Sequence, residues 1–241
     1  MNRGIYSTAA AMLGAQRQLD TIANNLANVS TTGYKRDELA FGDTLSKTIR
    51  ANGGYGEILG EMSFGTAAER EYTAFEKGSI QATGSPFDFA IDSAKGLFAV
   101  LTPEGRKYTR DGAFELTADG VLITREKFPV LDERGNPIQI PVGEMIVGQD
   151  GSITVDGKAV GQLAVYDGAF VKSGANLYSS SDAQAMDDPQ VRWKSIESSN
   201  VNAVEAMVDM VQLQRRFDLA QRTIQQQDEL AQRLIQSLNQ S

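Results

Sequence analysis

Apolar residues recur at seven-residue spacing at the beginning of the chain. Two series, starting at Ile5 and Thr8, place an apolar or small side chain at every step as far as Val29. Such a and d positions of a heptad are typical of a helix that packs along a narrow seam. We expect the helix to stop near Asn28, because turn-forming residues follow and Gly33 can adopt a positive φ. The predicted seam of this N-terminal helix consists of Ile5, Met12, Ala15, Leu19, Ile22, Leu26 and Val29.

The C-terminus repeats the heptad pattern over a longer stretch. From Asn202 to Asn239 the chain has neither proline nor glycine, and only Gln227 interrupts the apolar series. Asn202 and Glu205 resemble a capping box and predict where the helix starts. At 1.5 Å per residue, this helix would be about 57 Å long. Its predicted seam consists of Ala203, Ala206, Met210, Leu213, Phe217, Ala220, Ile224, Ala231, Leu234 and Leu238.

A helix of that length is longer than a compact domain of this mass is wide, since such a domain has a radius of gyration of about 18 Å. Part of the seam must therefore meet something other than the chain's own core. A narrow seam bordered by Gln and Arg favours another helix as its partner. The simplest partner is the N-terminal helix of the same chain, and the pair would then pack against further copies. The two ends thus predict a coiled-coil layer that self-assembles.

The middle of the chain predicts β structure instead. Four of the Asp-Gly dipeptides, at 119–120, 150–151, 156–157 and 167–168, separate short β-type runs, and we expect them to supply the positive φ angles of tight turns. The predicted strands are Phe87–Ile91, Leu97–Leu101, Val121–Thr124, Ile138–Ile140, Ser152–Val155 and Gln162–Tyr166.

Taken together, the patterns predict an α+β protein in which discontinuous N- and C-terminal coiled-coil helices, an inner layer, flank a central all-β domain. Gly-rich sequence after the first helix predicts an extended connector, and polar, acidic sequence after the β domain predicts a linker. The predicted segments are the N-terminal helix at 1–34, the connector at 35–74, the β domain at 75–180, the linker at 181–199 and the C-terminal helix at 200–241.

Composition narrows the function. The net charge of −8, with 23 scattered Lys and Arg residues, argues against a nucleic-acid partner. The chain has neither cysteine nor histidine, so thiol chemistry is excluded and the commonest general base and metal ligand are missing. No run of about 20 apolar residues predicts membrane insertion, and the N-terminus does not resemble a cleavable signal peptide.

Few residues could carry chemistry. The nearest approaches to paired carboxylates are Asp88 with Asp92 and Asp111 with Glu115, all in β-type sequence where Asp commonly makes turns. The Asp-Gly loops lack the twelve-residue spacing and closing Glu of a calcium loop. We therefore predict no catalytic, metal or cofactor site, and no enzyme.

Three segments, in the same order along the chain, resemble the bacterial flagellar rod and hook proteins. Residues 22–35 are similar to the N-terminal signature of that family, residues 108–114 to a motif of its β domain, and residues 198–210 to its C-terminal signature. The residues that carry this likeness include Asn24, Asn25, Asn28, Gly33, Tyr34, Tyr108, Arg110, Gly112, Ser199, Asn200 and Val201.

The resemblance implies a structural subunit whose terminal helices line the narrow channel of a tube that transmits torque, with the β domain outside. It implies copies of this chain and other rod-family subunits as partners, and the flagellar type III export apparatus as a partner in transit. The location implied is the rod of the basal body, periplasmic in a Gram-negative cell, without a cleaved signal. Within the family, the C-terminal segment is most similar to the proximal rod proteins, and the alternatives are a distal rod protein or another hook-basal-body subunit.

One alternative of another class stays open. The β domain could recognise carbohydrate or peptidoglycan, with the helices serving only to oligomerise it. Trp193, Tyr166 and Tyr178 would then line a groove, although core packing is the more ordinary role for such residues.

Overall fold

The computed structural model describes residues 2–43, 46–50, 58–63, 66–174 and 176–239. Within these ranges the chain forms two helices and nineteen strands. They belong to two compact units. The helical unit comprises Met1–Ala27, Asp37–Tyr72 and Asn202–Ser241, and the β unit comprises Asn28–Arg36 and Thr73–Val201. The α+β class, with two terminal helices flanking β-rich sequence, is confirmed.

The helical unit contains α1 (Asn2–Ala27) and α2 (Ala203–Asn239), which pack against each other. Neither helix, over its described residues, is long and apolar enough to cross a membrane. Four strands complete the unit: β1 pairs with β4, and β2 pairs antiparallel with β3. Their bounds are β1 Asp37–Asp43, β2 Ser46–Arg50, β3 Ile58–Ser63 and β4 Thr66–Thr73.

The start of α2 is capped as its sequence predicts. The Oδ1 atom of Asn202 accepts hydrogen bonds from the backbone N–H groups of Val204, at 3.1 Å, and Glu205, at 3.4 Å. These donors have no partner within the helix, so the cap determines where α2 begins. The carboxylate of Glu205 in the first turn also faces the positive end of the helix dipole.

Burial along α2 follows the heptad. Every a or d residue from Ala203 to Gln227 is buried or half-buried, and every other residue between Ala203 and Leu230 is exposed. One side of α2 is therefore covered over about seven turns. The side chains of Ala231, Leu234 and Leu238, and that of Ile5 in α1, lie outside the described residues.

The β unit is built from short strands. The largest sheet has six strands in the order β15-β16-β8-β7-β14-β17, and a three-stranded sheet has the order β11-β12-β13. The remaining pairs are β10-β9, β18-β6 and β19-β5. The bounds are β5 Ile80–Ala82, β6 Phe89–Ile91, β7 Leu97–Thr102, β8 Gly105–Thr109, β9 Glu115–Leu116, β10 Leu122–Ile123, β11 Met145–Val147, β12 Ser152–Val155, β13 Lys158–Gln162, β14 Val165–Asp167, β15 Val171–Lys172, β16 Leu177–Ser179, β17 Gln184–Ala185, β18 Val191–Trp193 and β19 Ser195–Glu197.

Strand β7 separates two hydrophobic clusters. Phe98 and Val100 belong to the larger cluster, and Leu97 and Ala99 belong to the smaller one, which is rich in tyrosine. Successive side chains of a strand point to opposite faces of the sheet, so β7 is covered on both sides. That explains why the segment is continuously apolar rather than alternating.

The structure corrects several predicted details. Residues 138–140 form no strand, and within them only Gln139 forms an isolated bridge, to Val121. The Asp167-Gly168 dipeptide has no positive φ, whereas Asp156 and Gly157 both do and connect β12 to β13. The segment predicted as a linker, 181–199, contains β17, β18 and β19, and residues 28–36 belong to the β unit. Strands of two or three residues are too short to show alternation, and β18 and β19 pair with strands far away in the sequence, so the local pattern could not reveal them.

Candidate functional site

The predicted seams of the two ends face each other within one chain. A cavity of about 200 Å³ between the helices is lined by Met12 and Ala15 of α1 and by Leu213, Phe217 and Ala220 of α2. Leu213 is buried in this interface, at 6% exposure. The other described seam residues within the helices, all half-buried, are Leu19, Ile22, Leu26, Ala203, Ala206, Met210 and Ile224. Val29 lies beyond the end of α1 and belongs to the β unit, so it is not part of the helical seam.

Helix α1 also buries a second face that the heptad did not predict. Its most buried residues are Gly14, Thr21 and Asn25, which lie beside the seam. The side-chain amide of Asn25 donates to the carbonyl oxygen of Asp37 at 2.8 Å and accepts from the Asp37 N–H at 2.9 Å. The amide of Asn25 thus satisfies both backbone groups of Asp37, as a neighbouring strand would, and it holds the beginning of β1 against α1.

Two of the three motifs, together with the residue directly before the third, meet in the β unit at one buried ion cluster, which consists of Lys35, Arg110 and Glu197. The Lys35 Nζ atom donates to Glu197 Oε1 at 2.6 Å, and the Arg110 Nε atom donates to Glu197 Oε2 at 2.5 Å. The three side chains are each about 1% exposed. Burial lowers the pKa of the Lys35 ammonium from its ordinary value, and the charge of Glu197 opposes that effect.

Backbone carbonyl groups supply the remaining acceptors of the cluster. Lys35 Nζ also donates to the carbonyl oxygen of Glu76, at 2.6 Å. The guanidinium of Arg110 donates further to four carbonyl oxygens, and the N–H of Gly78 donates to Glu197 Oε1 at 2.7 Å. The four carbonyl groups belong to Ile91, Ser93, Lys95 and Gly96. One carboxylate and several carbonyl dipoles thus balance two buried cations, as burial of charge requires.

Two motif glycines allow close backbone approaches around this cluster. Gly33 has φ +66°, and a Cβ atom there would lie 2.4 Å from the carbonyl carbon of Arg110. Its N–H donates to the carbonyl oxygen of Glu197 at 2.7 Å. A Cβ atom at Gly112 would lie 1.8 Å from the carbonyl oxygen of Phe89. Both positions require glycine because a larger residue would collide with backbone that cannot easily move.

Asn200 joins the segment that precedes α2 to the segments on either side of β1 to β4. Its Oδ1 atom accepts from the N–H of Arg36 at 2.8 Å, and its Nδ2 atom donates to the carbonyl oxygen of Ala74 at 2.9 Å. Its own N–H donates to the carbonyl oxygen of Tyr34 at 3.3 Å. The segment that follows α1 and the segment that precedes α2 are therefore hydrogen-bonded to each other within the β unit.

The other motif residues make local contacts. Asn28 accepts the N–H of Thr31 in a turn, and the Ser199 hydroxyl accepts the N–H of Val201. The buried ring of Tyr34 lies 4.4 Å from the Nζ atom of Lys172. Two further residues differ in exposure: Tyr108 is buried in the smaller hydrophobic cluster, and Asn24 is exposed on α1.

The carboxylates singled out in the sequence do not form a reactive pair. Asp88 accepts a hydrogen bond from the Thr83 hydroxyl, and Asp92 forms ion pairs with Lys77 and Arg192, which lower its pKa. Asp111 differs, because burial raises its pKa to about 6.

Asp111 has a local structural role, since its Oδ1 atom accepts the N–H of Ala113 at 3.0 Å. Glu115, the other member of that pair, is exposed. In the described part of the chain, no group of three or more carboxylates is arranged to hold a metal ion.

The aromatic residues proposed for a carbohydrate groove are mostly in the core. Tyr178 is 0% exposed and Tyr166 is 6% exposed, and both belong to the smaller cluster. Only Trp193 is half-exposed, and its Nε1 atom donates to the carbonyl oxygen of Pro86 at 2.8 Å. Two of the three rings predicted to line a carbohydrate-binding groove are therefore buried in the core.

Sequence reasoning missed Glu197 entirely and did not single out Lys35. The sequence offered no signal for Glu197, because only the structure shows that this glutamate is buried at the end of β19. A charged residue at a buried strand position requires partners, and the motifs carrying Lys35 and Arg110 contained the matching cations.

Comparisons with known families match the same three regions. Residues 5–35 match the family described as flagella basal body rod protein, and residues 90–155 match the D1 domain of flagellar hook protein FlgE/F/G. Residues 194–237 match the C-terminal domain of flagellar basal body rod FlgEFG protein.

Relatives match over nearly the whole chain. The chain is 33% identical to flagellar basal-body rod protein FlgF of Rhizobium meliloti over 229 residues, which is 90% of each chain. It is 30% identical to FlgF of Caulobacter vibrioides, over 99% of this chain and 98% of the relative. It is 32% identical to FlgG of Bacillus subtilis, over 98% of each chain. The chain therefore belongs to the flagellar basal-body rod protein family.

Proposed function

We propose that this structural rod subunit polymerises through its terminal helices into a hollow shaft that transmits torque. The observation that carries the proposal is the pairing of α1 with α2 along heptad positions, which joins both ends of the chain into one helical unit. Burial of apolar helix surface between subunits, worth about 25 cal/mol per Å², would drive the assembly.

The finer identity that we propose is a proximal rod protein of the FlgF type. FlgF proteins of Rhizobium meliloti and Caulobacter vibrioides are among the relatives, and the C-terminal signature favours this assignment. The alternative is a distal rod protein of the FlgG type, since FlgG of Bacillus subtilis is similar to a comparable degree.

The proposed partners are copies of this chain and other rod-family subunits, and the flagellar type III export apparatus during secretion. The proposed location is the periplasmic part of the basal body in a Gram-negative cell, reached without a cleaved signal peptide. We propose neither a cofactor nor catalysis, because the chain belongs to a family of structural rod proteins.

A substitution in the helix interface tests the proposal. Phe217→Asp should disrupt the α1–α2 interface, abolish rod assembly and leave the β unit folded. Gln226→Asp is the matched control, because it introduces the same charge at an exposed position of α2. The readouts are motility of cells that express each variant and electron microscopy of their isolated basal bodies. Normal rods with Phe217→Asp would contradict assembly through the terminal helices.

A further inference from the structure

The last segment of the β unit is bound to the earlier segments of the same unit. Residues 189–200, which we name the closing strap, contain β18 and β19 and end shortly before α2. Strand β18 pairs antiparallel with β6, and β19 pairs antiparallel with β5. Backbone hydrogen bonds also join the strap to residues 33–34, 79–92 and 149. The strap therefore holds together parts of the β unit that are far apart in the sequence.

The strap also supplies side chains to the hydrophobic core and to the buried ion cluster. Val191 is 2% exposed and belongs to the larger hydrophobic cluster. Glu197 accepts hydrogen bonds from Lys35 at 2.6 Å and from Arg110 at 2.5 Å. Without the strap, the core would lose an apolar side chain, and two buried cations would lose the carboxylate that lies between them.

The rest of the β unit cannot keep this arrangement when the strap is absent. Lys35 and Arg110 are each about 1% exposed, so water does not reach them to replace the carboxylate. A buried charge without its partner is strongly destabilising. Strands β5 and β6 would also lose their pairing, because each belongs to a two-stranded sheet whose other strand lies in the strap.

The position of the strap in the chain makes it available late. It begins at residue 189 of 241, after the other strands described in the β unit. At about 5–20 residues per second, a ribosome needs about 3–10 s to add residues 189–241. Two-state β domains fold in milliseconds to seconds. A β unit that was complete without the strap would therefore have time to fold before synthesis ends.

We propose that the closing strap controls when the β unit folds: the unit reaches its native structure only after residues 189–200 have been delivered and have docked. The use of this device rests on the proposed function, because a subunit that passes through an export apparatus must remain unfolded until then. An interrupted chain that ends before the strap would lack both a folded β unit and α2, so it could not enter a rod.

Amide exchange in the full-length chain tests whether the strap can open by itself. Val191 and Ser198 report on the strap, and Val130 and Ile138 report on the rest of the unit. The N–H groups of all four donate to backbone carbonyl oxygens at 2.7–3.0 Å. We expect their protection factors to agree within tenfold, because all four exchange through one opening of the unit. Strap amides that exchange more than tenfold faster than the other two would overturn the inference.

A substitution in the strap provides a second test. Val191→Ala should reduce the protection of Ser198, Val130 and Ile138 by the same factor, at least about tenfold, since a cavity at the strap weakens the whole unit. Val171→Ala is the matched control, because it makes the same change at a position of β15 that is 68% exposed. It should leave all three protection factors within about twofold of the wild type. A loss of protection confined to the strap in Val191→Ala would overturn the inference.

The Phe217→Asp variant separates this inference from the proposed function. If the strap exchanges alone while Phe217→Asp fails to assemble, only the role of the strap is lost. If exchange is coupled across the unit while Phe217→Asp assembles normally, the strap remains and assembly through the terminal helices fails.

Discussion

Lys35 and Glu197 lie 162 positions apart in the sequence and form a buried ion pair, with 2.6 Å between Nζ and Oε1. Lys35 follows α1 by eight residues and Glu197 precedes α2 by six. Arg110 also binds Glu197, so the cluster joins the segment that follows α1 to the segment that precedes α2, within the β unit.

Removing the shared carboxylate should destabilise the β unit strongly. Glu197→Gln would leave Lys35 and Arg110 buried without an opposite charge, which costs about 3–5 kcal/mol of unfolding free energy. The measurement is urea unfolding followed by fluorescence of Trp193, the only tryptophan of the chain. Glu76→Gln, which removes an exposed ion pair with Arg36, should cost less than about 1 kcal/mol. Equal losses in the two variants would contradict a special role for the cluster.

Gly33 should tolerate no side chain. Gly33→Ala combines a positive φ with a collision against the Arg110 backbone, so we expect a loss of more than about 3 kcal/mol. Gly84→Ala is the matched control, because Gly84 has φ +78° and a Cβ atom there would meet nothing within 4 Å. Its loss should be only about 1–2 kcal/mol, from backbone strain alone. Denaturant midpoints measure both, and similar values would show that the close approach to Arg110 is unimportant.

Asp111 should make stability depend on pH in an unusual direction. Its pKa in the folded chain is about 6, above the ordinary value of 3.8, so the native state binds the proton more tightly. The free energy of unfolding therefore falls as pH rises from about 4 to about 6 and remains lower above that range.

Asp111→Asn removes this titration and preserves an acceptor for the Ala113 N–H. At pH 7 the variant should be more stable than the wild type by up to about 3 kcal/mol, and the difference should vanish near pH 3. Asp92→Asn should instead make the protein less stable than the wild type at pH 7, because ion pairs lower the pKa of Asp92 and stabilise its charged form. Thermal unfolding across this pH range measures both, and a constant difference for Asp111→Asn would refute the assignment.

The boundaries of the β unit predict which fragments fold. A fragment of residues 28–201 should unfold cooperatively, because it contains all of Lys35, Arg110 and Glu197. A fragment of residues 75–180 loses β18 and β19 and leaves Arg110 without its carboxylate, so it should lack a cooperative transition. Amide dispersion in NMR spectra and thermal unfolding distinguish the two. Well-dispersed spectra from the shorter fragment would contradict the unit as described.

Features with a local physical cause were predictable. The heptad period predicted which residues of α2 are covered, since the helix repeat alone places them on one side. The cap at Asn202 followed from one side chain and the two N–H groups next to it. The turn at Asp156-Gly157 followed from the tolerance of those residues for positive φ. The family resemblance and the α+β class followed from motifs at both ends and in the middle.

By itself, then, the sequence determined the two helices, their apolar sides, the main turns and the family. Only the tertiary structure decided that Glu197 meets Lys35 and Arg110, that residues 184–197 contain three strands, and that the heptad stripe of α2 is covered by α1. The physical reason is range. Helix periodicity and caps act over a few residues, whereas the ion cluster of Lys35, Arg110 and Glu197 and strands β18 and β19 depend on partners more than 80 positions away, which no local pattern specifies.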